Sequence, residues 1–276
     1  MLSYHDTTLN KKIRLLGILL LLEYAVFIFS GLSFFQLHGD PFFSLGVDPF
    51  SWFFFIAGVP QLILSNFWTG LAIDSLIFLL LIFFVTTAGS YKIAIPLFLL
   101  LLCFYVTITG YLTHRNFQVG FVVVLTPFLF ARTKSRQFAF EATRYFLLFF
   151  YVSAAFFKLF NNSLASQDHF SHHLATQFAP YFLENNLGFR TSINLYLIQH
   201  TGISHLLYIL SFFAELIVVV GFFTIKFDKW LAAILLTFHL GNWIVMDLAP
   251  IGQLAFICLF FLSKDFIKEG SRLNLK

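Results

Sequence analysis

Apolar positions in this chain gather into long runs parted by short polar or basic turns. A bilayer span needs about 20 such residues to cross a hydrocarbon core of roughly 30 Å. Runs that fit or nearly fit occupy 15–35, 66–88, 91–111, 145–160, 205–223 and 230–248, and shorter ones occupy 117–130 and 251–262. A further apolar stretch, 50–64, is interrupted by Gly58 and Pro60 and reads as a re-entrant or interfacial helix. The first run follows Lys11, Lys12 and Arg14, contains Glu23 and ends without a small-residue cleavage site, so it reads as a span and not a cleaved leader. The pattern predicts an all-α, polytopic membrane helical bundle of about eight spans. With no internal repeat or low-complexity linker, residues 1–276 read as a single transmembrane domain.

Basic residues orient these runs. With the N-terminus inside, the cytoplasmic turns hold Lys11, Lys12, Arg14, Lys92, Arg132, Lys134, Arg136, Arg144, Lys226, Lys229, Lys264, Lys268, Arg272 and Lys276. That is fourteen of the 17 basic residues, leaving Arg115, Lys158 and Arg190 outside. Eight crossings with both termini cytoplasmic satisfy the positive-inside rule, and dropping one crossing scrambles the partition. The reading is an integral protein of a plasma or inner membrane. Two long outer segments result, 36–66 and 161–204, and segments of that length tend to carry function.

Composition excludes the competing classes. Charged residues make up 11% of the chain and the hydrophobic class 59%, against about 25% charged in a soluble domain. Such a surface cannot stay in water; the lipid bilayer is the first partner, and a nucleic-acid partner is not expected. The net charge of +4 belongs to cytoplasmic anchors, not to a polyanion site. Cys103 and Cys258 both fall inside apolar runs, which argues against a disulfide framework.

Ionisable groups within spans are costly and call for an account. Lys158 closes the fifth run. It either snorkels to the outer headgroups or sits desolvated, where burial favours a neutral amine able to act as a base. His239 lies mid-run with Asn242 at i+3, on one helix face; a packing histidine is the alternative. His114 falls in an outer turn and taken singly is an ordinary loop histidine. Glu23, Glu215 and Asp74 read as groups paired within the bundle, with partners unspecified. His169, His172 and His173 could meet one metal ion from a helix, although an interfacial helix with polar histidines explains them more simply, and no metal is expected. No HExxH, CxxC, P-loop or GxSxG pattern is present.

Three patches resemble the transmembrane domain shared by vitamin K-dependent γ-glutamyl carboxylase and its bacterial relatives, the HTTM family. Tyr151-x-x-Ala154-x-x-x-Lys158-Leu159 resembles the family's Y-x-x-A-x-x-K-K-L stretch. Phe238-His239-x-x-Asn242 resembles its F-H-x-x-N stretch, with Ile251-Gly252 standing for a following Ile-Gly pair about three residues farther along. His114 with Gly120 resembles N-H-S-Y-L-Y-G, one residue longer in spacing and with Thr113 in place of the Asn; Arg144 also has a counterpart. The similarity runs from about Tyr105 to Leu262.

The resemblance implies a lyase- or oxygenase-type reaction on a reduced quinone, vitamin K hydroquinone-like, at an outward-facing pocket. There the lysine deprotonates the hydroquinone, oxygen adds, and the base so formed takes a γ-hydrogen from a peptide glutamate. It casts Lys158, His239 and His114 as catalytic and Asn242 and Tyr151 as cofactor-binding. The substrate would be a peptide, protein, lipid or small molecule on the outer side. The chain ends about a dozen residues past its last run, without the family's large exoplasmic domain, so processive carboxylation of a docked protein is not expected. A non-enzymatic membrane subunit or transporter binding a lipid, quinone or partner protein is the alternative.

Overall fold

The computed structural model describes residues 4–39, 49–110, 124–130, 136–183, 188–246 and 251–262. It is 84% helical, and no strand occurs among the described residues. Among the described residues, five helices are long and apolar enough to cross a membrane: Phe67–Thr86, Tyr91–Ile108, Arg136–Phe160, Thr201–Phe223 and Asp228–Met246. The described residues pack into two compact units, one reaching to Thr143 and one running from Arg144. No linker in the sequence announces this division, which falls inside a helix.

In the first unit, α1 (Tyr4–Phe29) buries Ile13, Leu16, Leu20, Tyr24 and Phe27, one stripe at helical spacing. It lies against α4 (Phe67–Thr86), which buries Gly70, Asp74, Ile77, Leu81 and Phe84 at the same spacing. Asp74 accepts from the Tyr24 hydroxyl at 2.5 Å and from the backbone N–H groups of Phe34 and Phe35 at 3.3 and 2.9 Å. Those bonds hold the chain turned just after α1, where the expected first span, 15–35, still continued. The helix stops at Phe29, and Gly31 turns the backbone with φ 73°. Gly70 is required beneath that turn, because a Cβ there would stand 2.7 Å from the backbone of Phe34 and Phe35. Lys12, Arg14 and Glu23 set α1 apart from the five more apolar helices.

The stretch expected as one re-entrant piece is two short helices, α2 (Pro49–Ile56) and α3 (Val59–Ile63). Gly58, at φ 68°, breaks the chain between them, and Pro60 suits the first turn of α3, where its missing N–H costs nothing. Asn66 caps α4 by accepting from the Thr69 N–H at 2.9 Å. α5 (Tyr91–Gly110) follows, and its Phe104 ring receives the edges of Tyr24, Phe27 and Phe34 at 5.3–5.4 Å. Of the expected fourth span, 117–130, the described part is mainly a 3₁₀ turn, Thr126–Phe130, with Phe128 buried against Phe84; the remainder lies outside the described residues.

The second unit holds most of α6 (Arg136–Phe160), then α7 (His169–Leu183), α8 (Phe189–Gln199) and α9 (Thr201–Leu216). A 3₁₀ turn and one final helical turn carry α9 on to Phe223. α10 (Asp228–Met246) and α11 (Ile251–Ile257) complete it, α11 passing into a π-helical turn, Cys258–Leu262. α7 and α8 fold as a hairpin over a small core of Leu174, Phe178 and Leu197, closed by Val245 and Met246 from α10. Gln177 donates to the Met246 carbonyl at 2.6 Å, occupying one of the acceptors left open where α10 ends. α9 turns Leu206, Leu210, Phe213 and Ile217 outward as one exposed apolar stripe. Lipid tails suit such a face and water does not.

Candidate functional site

Arg144, Tyr151 and Lys158 follow one another every seven residues along α6. Seven residues make nearly two turns, so the three side chains leave one face of the helix about 10 Å apart. Each meets a polar partner from α9 or α10.

Arg144 forms the first rung. Its Nε and Nη2 donate to the two Asp228 oxygens at 3.1 and 2.5 Å, and Nη1 donates to the Gly221 carbonyl at 3.1 Å. The guanidinium also lies over the Phe261 ring, 5.4 Å from its centroid. A two-pronged, nearly dry ion pair of this kind is expensive to break from one side. This rung fastens α6 to the beginning of α10 and to the last helical turn.

The second rung is buried. The Tyr151 hydroxyl and His239 Nε2 share a hydrogen bond of 2.6 Å, with residue exposures of 3% and 2%. The partner nitrogen, His239 Nδ1, has no hydrogen-bond partner among the described residues. Either tautomer therefore leaves one imidazole nitrogen unsatisfied in an apolar setting, a cost proteins usually avoid.

Lys158 makes the third rung. Its Nζ lies 2.9 Å from Glu215 Oε2 and donates to Ser211 Oγ at 3.0 Å. The ring centroids of Tyr208 and Phe238 stand 5.1 and 6.0 Å away. Carboxylate, hydroxyl and aromatic faces thus surround the amine, within cation–π reach. The side chain turns in from the end of α6 instead of snorkelling outward. Tyr151 and Tyr208 both lie within electrostatic reach of Glu215, which joins the second and third rungs.

Beyond Lys158 the site is closed by the end of α6 and by α7. Ser163 Oγ donates to the Lys158 carbonyl at 2.9 Å and shares a 2.9 Å hydrogen bond with the Tyr208 hydroxyl. The Tyr208 ring stacks on Phe170 at 5.6 Å and meets His169 at 5.4 Å.

Of the residues singled out from sequence, Lys158, Tyr151 and His239 lie on this ladder. Asn242, one turn beyond His239 on α10, is half-buried, and its side chain makes no hydrogen bond among the described residues. His114 lies outside the described residues. His169, His172 and His173 are all exposed on α7, and no three His, Cys, Asp or Glu side chains converge among the described residues. Partial desolvation and the neighbouring His169 hold the His173 imidazole below its usual range.

Glu215 is the site residue that sequence reasoning left unplaced. The signal was present in the polar positions Ser204, Tyr208, Ser211 and Glu215, spaced four, seven and eleven residues from the first, which form one stripe on an otherwise apolar helix. No family model matches the chain, and neither does any curated protein or solved structure.

Proposed function

We propose that the chain is an integral membrane protein whose α6–α9–α10 ladder handles protons for a quinone-dependent reaction of the HTTM type. In this reading it crosses the bilayer about eight times with both termini cytoplasmic, and the Lys158 end of α6 faces outward. The observation that carries it is the inward turn of Lys158 into a pair with Glu215, among aromatic rings.

An amine and a carboxyl in contact share protons between an ionic and a neutral arrangement, and apolar surroundings narrow the gap between the two. In the neutral arrangement Lys158 Nζ has a free lone pair and Glu215 holds the proton. Lys158 Nζ then takes one further proton, and the pair as a whole stores it. His239 fits the role of orienting a ligand hydroxyl or carbonyl, since its buried Nδ1 lacks a partner and Tyr151 fixes the ring through Nε2. Asn242 and His114 extend that role in the same proposal. A reduced quinone, when bound, supplies an exchangeable hydroxyl proton and the electrons that oxygen takes up.

The direct test is hydroquinone oxidation by the purified chain in nanodiscs. Lys158→Ala and Glu215→Gln should each abolish turnover while the helical signal persists. Undiminished turnover in Lys158→Ala removes the lysine from the reaction. A second reading, a membrane subunit or transporter binding a lipid, quinone or partner protein, is favoured by the closeness of the Lys158–Glu215–Ser211 contacts, which suits a structural pair. Wild-type chain that binds hydroquinone but never turns it over selects that reading.

A further inference from the structure

A buried pair that stores a proton must also release it, and the surroundings of Lys158 and Glu215 offer few ways out. Past Glu215, residues 216–223 of the α9 extension carry no titratable group. Beyond them come Lys226, exposed, and Asp228, engaged on both oxygens by Arg144. Sideways, Tyr151 and His239 are buried and bonded to each other. Toward α7 the surroundings differ. Tyr208 spans the interval from the Lys158 amine, which lies over its ring, to α7, where the same ring touches His169. Its hydroxyl is paired with that of Ser163, and His169 is exposed. Other titratable groups on this side among the described residues are Asp168, just before α7, and His172 and His173 on it, all exposed, and His205, one turn before Tyr208 on α9. Among these, His169 is the one whose ring contacts Tyr208.

We propose that the Lys158–Glu215 pair exchanges its protons with water on the α7 side, through the Tyr208–Ser163 hydroxyl pair to the imidazole of His169. The inference rests on reading the pair as a proton store. An N–H bond of Lys158 breaks and an O–H bond forms at the hydroxyl pair. That pair gives up one of its own protons to a ring nitrogen of neutral His169, so neither hydroxyl keeps a charge. The imidazolium then loses its proton to solvent. The assignment makes the site one-sided: protons pass at the α7 end and not at the Arg144 end.

The test uses the full chain in nanodiscs, with ¹⁵N in its lysine side chains and no quinone present. The Lys158 ammonium resonance is identified by its loss in Lys158→Arg, and its proton exchange with water is measured by NMR. His169→Gln and Tyr208→Phe should each slow that exchange by about a hundredfold, the lower end of what a positioned acid or base contributes. The double variant should be no slower than the slower single one. His172→Gln and His205→Gln should leave the rate unchanged. Unchanged or faster exchange in His169→Gln overturns the proposal, as does slowing in His205→Gln. Should Tyr208→Phe displace the Lys158 resonance through lost packing, His169→Gln decides: His169 is exposed, its ring packs on Tyr208 from the α7 side, and the Lys158 resonance serves as the control for undisturbed packing. Lys158-dependent quinone turnover is a separate measurement, so a failed exchange result leaves that reading standing and a failed turnover result leaves this one.

Discussion

Lys158 on α6 and Glu215 on α9 are 2.9 Å apart, and their side chains retain 16% and 7% of their exposure. Removing one member of so enclosed a pair leaves the other charge without compensation, at a cost of about 3–5 kcal/mol. Lys158→Met or Glu215→Gln should therefore destabilise the chain by that order, and the double variant by much less than the sum. Denaturant titration in mixed micelles checks this, and additive losses would show that the two groups do not act as a pair.

Arg144 and Asp228 make a different demand, because the guanidinium fork bonds both carboxylate oxygens and the Gly221 carbonyl together. A lysine keeps the charge but cannot span three acceptors. Arg144→Lys should lose a substantial part of the roughly 3–5 kcal/mol expected for Arg144→Met. Equal stability of Arg144→Lys and wild type would reduce this rung to simple charge balance.

Tyr151→Phe takes away the one hydrogen bond described for the His239 ring. A buried imidazole with neither nitrogen satisfied costs about 1–3 kcal/mol, and the ring is freed to turn. Lower thermal stability with a shifted His239 imidazole resonance is expected. An unshifted resonance would mean that Tyr151 does not hold the ring.

Two glycines should respond in opposite ways. Gly70→Ala forces a methyl to 2.7 Å from the backbone of Phe34 and Phe35, so the clasp around Asp74 must open, at about 1–3 kcal/mol. Gly241, exposed on α10, has nothing within 4 Å of a would-be Cβ. Gly241→Ala should gain up to about 1 kcal/mol of helix propensity. Thermal unfolding of the two variants side by side makes the comparison.

His173 predicts a pH dependence. Its imidazole is held below its usual range in the folded chain, so the unfolded chain binds the proton first as pH falls. Stability should decline with acidity from the ordinary imidazole value, about 6.5, down to the lowered one, and be unaffected above it. His173→Gln should flatten that part of the curve. An unaltered curve assigns the acid sensitivity to other groups.

The long helices were legible because an apolar run of bilayer length admits few other structures. α4, α5 and α10 begin within about two residues of the runs read from sequence, and the α9 run of 205–223 ends at the same residue as its helix. The start of α6 was hidden. Arg136 and Arg144 read as part of a basic turn, yet the helix includes them, since Gln137 bonds Glu141 at 3.0 Å and Arg144 is neutralised by a residue 84 positions away. The end of α1 was hidden for the same reason, as Asp74 is 39 positions from the Phe35 N–H it holds. Lys158 and His239 stood out because ionisable groups are rare in apolar runs. The identity of their partners depended on how three helices are rotated against one another, which no local pattern records.

The equal spacing of Arg144, Tyr151 and Lys158 makes α6 behave like a key with three teeth. Slipping it lengthwise by one turn, about 5.4 Å, would withdraw all three at once from Asp228, His239 and Glu215. Ratcheting of α6 past its neighbours is thereby locked out, and any working motion of this unit has to carry α9 and α10 along with it.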